Sequence, residues 1–244
     1  MQAITDTLKA YGSAISLASR YNLYPYLLIS GLISFIIGGA IFGSAWLWSD
    51  NLSNVLLDLY PFEWGIGFIE KIVYYLSWSL ILVIGGLLYK YIVLIAIAPV
   101  MSPLSERLEE GMVDAYDGVD FSYTRMISEI MRGIRLALRN ITYELSITLV
   151  LLLLSLIPGL AIITTPLIFI VQAYYMGFAN IDFCLERHFT VRESVRWVTK
   201  RKILAIANGS LFLLLLMIPV VGLFIAPFLG TIAATKVSVD RLYD

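Results

Sequence analysis

Residues 145–181 carry no charged side chain, and neither do residues 203–235. Each run contains two prolines eight residues apart: Pro158 and Pro166 in "SLIPGLAIITTPLIF", Pro219 and Pro227 in "LMIPVVGLFIAPFLG". As one unbroken helix the first run would be about 55 Å long, against a hydrocarbon core of about 30 Å. Proline removes a backbone donor and restricts the residue before it, so the prolines mark a reversal. The arms before the turn, 145–157 and 203–218, make helices of roughly 20 to 24 Å, short for a full crossing, which favours re-entrant hairpins. Pro158 is expected to stop the first arm and Gly159 to ease the turn. Thr165 and Pro166 are then the N-cap and first residue of the returning helix, and Pro219, Gly222 and Pro227 repeat the arrangement. At an offset of 61 the runs also match at Leu152/Leu213, Leu153/Leu214, Leu154/Leu215, Ile157/Ile218 and Ala173/Ala234, an internal repeat.

Composition says which solvent these runs meet. Hydrophobic residues make up 59% of the chain and charged residues 14%, against roughly 25% charge in soluble domains, and mean hydropathy is +0.85. The fold expected is an all-α integral membrane protein, one membrane domain over 1–244 with two long transmembrane helices, two proline-broken hairpins and amphipathic surface helices. Its segments are an interfacial N-terminal helix (1–22), a first span (23–49), a second (64–101), cytoplasmic or interfacial helices (103–144), hairpin 1 (145–181), a basic connector (182–202) and hairpin 2 (203–240). Pro99 and Pro103 should bend and end the second span, with Ser102 and Pro103 opening the next helix. The first twenty residues are mixed polar without an apolar core behind a basic start, so no cleaved signal peptide is expected.

Charge sets the expected topology. Asp50, Asp58, Glu63 and Glu70 face one Lys71 in the connection between the spans. In 121–142, Ile127, Ile130, Met131, Ile134, Leu138 and Ile141 follow helical spacing, while Arg125, Arg132, Arg135 and Arg139 share an arc of about 80°. Arg192, Arg196, Lys200, Arg201 and Lys202 form a second basic stripe. Positive charge at lipid phosphates places these segments and the N-terminus in the cytoplasm. The same arginines would also suit a vestibule that concentrates an anion.

Non-helical backbone inside a bilayer must be buried in protein or line a watery cavity, and broken helices in repeated topology point to a transport pathway. Helices returning from Pro166 and Pro227 would aim positive dipole ends inward, which suits an anion. Enzyme chemistry has thin support: Asp182, Glu186 and His188 could ligate a metal with outside help, yet His188 is the only histidine and Cys184 the only cysteine. No cofactor or metal is expected, nor any nucleic-acid partner. A structural or lipid-organising protein is the competing class, since surface helices and partial-depth hairpins also suit interfacial packing.

Three stretches carry a resemblance: "SRYNLYPYLL" (19–28), "IAPVMSPLSERLEE" (97–110), and the two hairpins joined by "NIDFCLERHFTVRESVRWVTKRK" (180–202). Over nearly its whole length the chain resembles the CysZ family of bacterial inner-membrane sulfate permeases, within the larger family named for an etoposide-induced membrane protein. The resemblance implies a homo-oligomer in the inner membrane, contacting lipid and taking up sulfate for cysteine synthesis, by proton-linked or passive flux. It also implies a sulfate site at Arg20, with Tyr21, Asn22 and the backbone donors of 20–23. Arg20 matches one of two adjacent arginines in such permeases; Ser19 stands in the other place, so half the charge remains. Glu106, Arg107 and Glu109 match the charged motif after the second span. They are expected in the pathway with Pro158, Pro166, Pro219 and Pro227, the acids pairing with Arg107 or the 125–139 arginines, or sensing protons.

Overall fold

The computed structural model describes residues 2–58, 66–113, 123–157, 159–218 and 220–243, all helices and their connections, with no strand among the described residues. In chain order these are α1 (Gln2–Arg20), α2 (Tyr24–Asp58), α3 (Ile66–Met112), α4 (Tyr123–Ser155), α5 (Ala161–Leu185), α6 (Val191–Lys200), α7 (Lys202–Leu216) and α8 (Val221–Leu242). Among the described residues, five stretches are long and apolar enough to cross a membrane: α2, Tyr91–Met112 of α3, Ile130–Ser155 of α4, α5 and α8. The chain is an all-α multi-pass membrane protein.

Two compact units share this chain. The larger comprises residues 1–32 and 94–244. Its core is built from Phe178, Ile181, Leu185, Trp197, Val198, Leu204, Ala233 and Val237, joined by Ala10 from α1 and Leu136 from α4. Lipid tails are as apolar as leucine, so helices in a membrane associate through close backbone approach and polar contacts rather than through hydrophobicity alone. Both devices are present where α5 crosses α7 antiparallel. Gly177 lies against the carbonyl of Ala205 and Gly209 against that of Ala173, so a Cβ on either glycine would overlap backbone. One turn away Asn180 Nδ2 donates to Asn208 Oδ1 (3.1 Å), and Asn208 Nδ2 donates to the Gly230 carbonyl on α8 (3.3 Å). The Tyr11 hydroxyl of α1 donates to the Asn208 carbonyl (3.0 Å), which fastens the amphipathic first helix to α7. Burial in this position pushes the Tyr11 phenol well above its ordinary pKa.

The smaller unit, residues 33–93, holds the later part of α2 and the first part of α3. Within it Tyr89 donates to the Ser34 carbonyl (3.1 Å), Gly85 admits the Ile41 side chain, and Phe42 meets Trp78 edge-on. Phe35, Trp46, Leu47, Trp48, Phe68 and Tyr75 face outward. Large exposed apolar side chains at this density suit a hydrocarbon solvent.

The helices depart from the expected boundaries in four places. Alpha-helix α3 runs through both Pro99 and Pro103 to Met112 instead of ending there. Without water to take up freed backbone groups, the intrahelical ladder is the better option, and membrane helices tolerate proline for that reason. Residues 123–142 and the apolar arm after them form one helix, α4, so no break falls at 144/145. Helix α2 continues past Asp50 to Asp58, because a charge ends a membrane span without ending a helix. Lastly, α5 starts at Ala161 and α8 at Val221, five or six residues before the prolines expected to open them. The Leu160 carbonyl already accepts from Ile163 (3.0 Å) and Thr164 (2.9 Å), so the returning helix is nucleated at once and Pro166 falls in its second turn. Pro158 and Pro219 lie outside the described residues.

Candidate functional site

The α1–α2 junction is built by the end of α1. Leu23 N–H donates to the Ala18 carbonyl (2.9 Å) and Asn22 N–H to that of Ser19 (3.4 Å), with Asn22 at φ +53°. These are the two bonds and the left-handed residue of a Schellman motif, in a residue type that tolerates positive φ. Tyr21 N–H donates to Leu17 (3.0 Å). The backbone donors of 21–23, expected to face an anion, are therefore consumed in capping α1. What remains for an anion is guanidinium. Arg20 is exposed, with its guanidinium carbon 5.5 Å from the Tyr21 ring centroid. Arg107, also exposed, reaches the same residue from α3, its Nε donating to the Tyr21 carbonyl (3.2 Å). The Tyr21 hydroxyl donates to the Gly111 carbonyl (2.7 Å), and only a glycine there leaves room for the ring. Of the residues singled out from sequence, Arg20, Tyr21 and Arg107 meet around one peptide, and exposed Asn22 adjoins them.

Glu109 belongs to a different cluster. Its carboxylate is fully buried and accepts at Oε2 from Arg187 Nη2 (2.7 Å) and Nε (3.2 Å). Oε1 lies 2.7 Å from His188 Nε2 and accepts from the Tyr243 hydroxyl (3.2 Å). Arg187 also donates to Ser105 Oγ (3.0 Å), the Phe183 carbonyl (2.8 Å) and the Ser102 carbonyl (3.4 Å), and Ser105 meets Thr235 of α8 (2.8 Å). Among the described residues the partners of Glu109 are thus Arg187, His188 and Tyr243, in place of the expected Arg107 or α4 arginines. Glu106, on the neighbouring face of α3, is partly buried.

A second pair takes Arg132 out of the basic face of α4, on which Arg135 stays exposed. Arg132 Nη2 binds Asp182 Oδ1 (2.9 Å) and Ser194 Oγ (2.8 Å), while Nη1 donates to the Phe189 carbonyl (2.8 Å). Arg139 donates to Asn140 (2.9 Å) and lies over the Tyr143 ring. The side chain of Arg125 lies outside the described residues. Asp182 and His188, grouped from sequence as possible metal ligands, fall into separate clusters, held by Arg132 and by Glu109. Beyond them α6 opens with Glu193 accepting from the Thr190 backbone (2.8 Å) and hydroxyl (2.7 Å). Those two bonds hold the Glu193 carboxyl below its ordinary pKa. Arg192, Arg196, Lys200 and Lys202 stay exposed.

The hairpin tips carry no polar chemistry of their own. Leu156, Ile157, Ile162 and Ile163 surround the first turn, and Met217, Ile218, Val220 and Val221 the second, all exposed. Pro166 is exposed on α5, whereas its counterpart Pro227 is buried in α8.

Arg187 and the Arg132–Asp182 pair escaped the sequence reading. A signal for them existed: an ionisable residue within or beside an apolar span must find a partner, and Glu109, Asp182 and Arg187 all adjoin such spans. The sequence does not say which of them pair, because the partners are separated by fifty residues or more.

An all-helical multi-pass protein with buried ion pairs between its spans and arginines exposed at a helix junction belongs to the class of polytopic transport-type membrane proteins. The particular family is shown directly: the chain matches, over residues 10–227, the EI24 family, described as "Sulfate transporter CysZ/Etoposide-induced protein 2.4", and it belongs to that family. It is 28% identical over 217 residues to the sulfate transporter CysZ of Pseudomonas paraeruginosa (strain DSM 24068 / PA7), covering 88% of this chain and 87% of the relative. The sulfate transporter CysZ of Pseudomonas aeruginosa (strain LESB58) shows the same identity and coverage. That of Pseudomonas syringae pv. tomato is 27% identical over 182 residues, 74% of this chain and 70% of the relative.

Proposed function

We propose that this protein is a sulfate uptake transporter of a bacterial inner membrane, working as a homo-oligomer with its N-terminus in the cytoplasm and supplying sulfate for cysteine synthesis. The observation that carries the reading is family membership over residues 10–227, together with full-length relatives named sulfate transporters. An entrance at Tyr21 is supported by the placement of two arginines. Arg20 and Arg107 approach Tyr21 from two helices, and a guanidinium presents planar paired donors that match a tetrahedral oxyanion. Arg107 stands in for the cation that Ser19 does not supply. From there the anion passes along the hairpins, whose charge-free apolar tips stay within the bilayer. The exposed cations of α6 and Lys202 lie on the cytoplasmic side at lipid phosphates.

Uptake of radiolabelled sulfate into liposomes containing the purified protein tests the reading. Sulfate flux above empty liposomes, reduced by Arg20→Ala, is the expected result. Absence of flux for sulfate, phosphate and chloride alike, with the protein folded in the bilayer, overturns it and leaves a lipid-organising role.

A further inference from the structure

Cys184 is the chain's single cysteine, fully buried near the end of α5, and His188 follows it by four residues. Glu186 N–H donates to Asp182 (2.9 Å) and His188 N–H to Leu185 (3.0 Å), so the backbone keeps a helical path past the end of α5. Cys184 and His188 therefore project from one side, at the spacing by which helices present two ligands to one zinc. Glu109 enters from α3. One of its carboxylate oxygens, the cysteine Sγ and one ring nitrogen of His188 lie within 4.8 Å of one another, and Oε1 and Nε2 are 2.7 Å apart.

A thiolate, an imidazole and a carboxylate are donors for borderline-soft divalent cations, whereas hard cations such as Mg2+ take oxygen sets. The surroundings also suit a ligand carboxylate. Arg187 holds Oε2, which leaves Oε1 turned toward His188 and the Tyr243 hydroxyl. A second-partner bond of that kind fixes the orientation of a ligating group. His188 is 22% exposed while Glu109 is fully enclosed, so the ring forms the way in.

We propose that Glu109 Oε1, Cys184 Sγ and His188 Nε2 bind one borderline-soft divalent cation, Zn2+ or Cd2+, tying the end of α3 to the end of α5. Binding replaces the His188–Glu109 hydrogen bond with two metal bonds: the Cys184 thiol proton leaves to water, and the Nε2 proton of His188 moves to Nδ1 by way of solvent, or leaves to water if the ring was charged, so that a neutral imidazole binds. Arg187 keeps its bond to Oε2, so cation, thiolate, carboxylate and guanidinium together carry one net positive charge. The site is separate from the anion entrance at Arg20 and needs no anion.

The test uses the full chain, stripped with a chelator, in detergent. Cd2+ titration is expected to give a thiolate-to-metal charge-transfer band saturating at one cation per chain, and competition against a chromophoric chelator gives Zn2+ affinity. Cys184→Ser abolishes the band, and His188→Gln weakens Zn2+ binding by more than about tenfold, since even outer partners of a metal site cost that much. No band in the parent, or Zn2+ affinity unchanged in both variants, overturns the proposal. Should either variant fail to fold, X-ray absorption at the zinc edge of the loaded parent decides. A shell with one sulfur among nitrogen and oxygen supports the site, and a shell without sulfur overturns it.

Discussion

Gly159 and Val220 occupy the same place in the two copies of the repeat, and both have positive φ, +88° and +61°. In the first turn Leu160 N–H donates to the Ile157 carbonyl (3.1 Å), and the positive φ falls on a glycine, which adopts it without a Cβ penalty. In the second, Gly222 N–H bonds the Ile218 carbonyl (2.8 Å), and a β-branched residue carries the left-handed backbone at ψ −59°. Gly222 serves a different need: a Cβ there would overlap the Leu215 carbonyl as the chain doubles back.

Val220→Gly is therefore expected to stabilise hairpin 2 by about 1 kcal/mol, since positive φ costs a branched residue on that order and an exposed side chain in lipid loses little burial. A raised thermal midpoint in detergent is the measurement. Gly159→Val should lower it.

Gly177→Leu and Gly209→Leu should each push α5 from α7, because the obstructing atoms are backbone and cannot rotate away. The expected loss is at least the 1–3 kcal/mol typical of overpacking. Gly133, with open space around its Cβ position, is the control: Gly133→Leu should leave the thermal midpoint close to that of the parent.

Glu109→Gln puts a neutral partner against buried Arg187, and Glu109→Leu removes the hydrogen-bonding side chain at that position altogether. Breaking a buried pair on one side costs about 3–5 kcal/mol, so the leucine variant should be the less stable and the double change Glu109→Leu with Arg187→Leu should recover part of the loss. Thermal unfolding of the parent, Glu109→Leu, Arg187→Leu and the double variant gives the coupling. Equal stability of single and double variants would mean that the pair does not act as a unit.

These examples show what was legible in the sequence. One proline of each pair, Pro158 and Pro219 in the sequence, marks the break before α5 and α8, whereas Pro166 and Pro227, expected to open those helices, lie inside them. Pro99 and Pro103 likewise lie inside α3, since the solvent around a helix decides whether a missing bond ends it. Arg20, Tyr21 and Arg107 could be named from the chain. Their convergence on one peptide could not, nor could the choice of Arg187 as partner to Glu109, because both depend on helices far apart in sequence.

The depth of the hairpin tips is open to chemical labelling. In a Cys184→Ala background, Ala161→Cys and Leu223→Cys are expected to resist membrane-impermeant thiol reagents added outside, because the tips are apolar and bear no charge to hold them in water. Strong labelling of both in intact cells would replace the re-entrant arrangement with full crossings.

Glu193 titrates below its ordinary range because it accepts two bonds from Thr190. A depressed carboxylate contributes stability above the unfolded pKa and loses it as pH falls through the folded value. Fraying of the start of α6 should therefore begin only below the ordinary glutamate range, and Glu193→Gln should remove this pH dependence. Isotope-edited NMR of the Glu193 carboxyl carbon gives the midpoint; an ordinary value would dismiss the cap.

The proposed anion entrance makes the sharpest demand on two side chains. Arg20→Lys keeps charge and loses the planar fork, so it should weaken sulfate binding in part, and Arg20→Ala more. Arg107→Ala should weaken it as well, and a double-mutant cycle should show coupling if the two guanidiniums share one anion across Tyr21. Asn22→Gly is a useful contrast: it preserves the left-handed cap of α1 at φ +53° and should leave affinity unchanged if the backbone donors are spent on that cap. Ser19→Arg restores a second adjacent arginine at the cost of the Ser19–Tyr24 hydroxyl contact (2.8 Å), and it should tighten binding. Calorimetry at fixed salt, with phosphate and chloride as competitors and a thermal midpoint recorded for every variant, separates lost binding from lost fold. Should Arg20→Ala and Arg107→Ala both bind sulfate as the parent does, the entrance lies elsewhere.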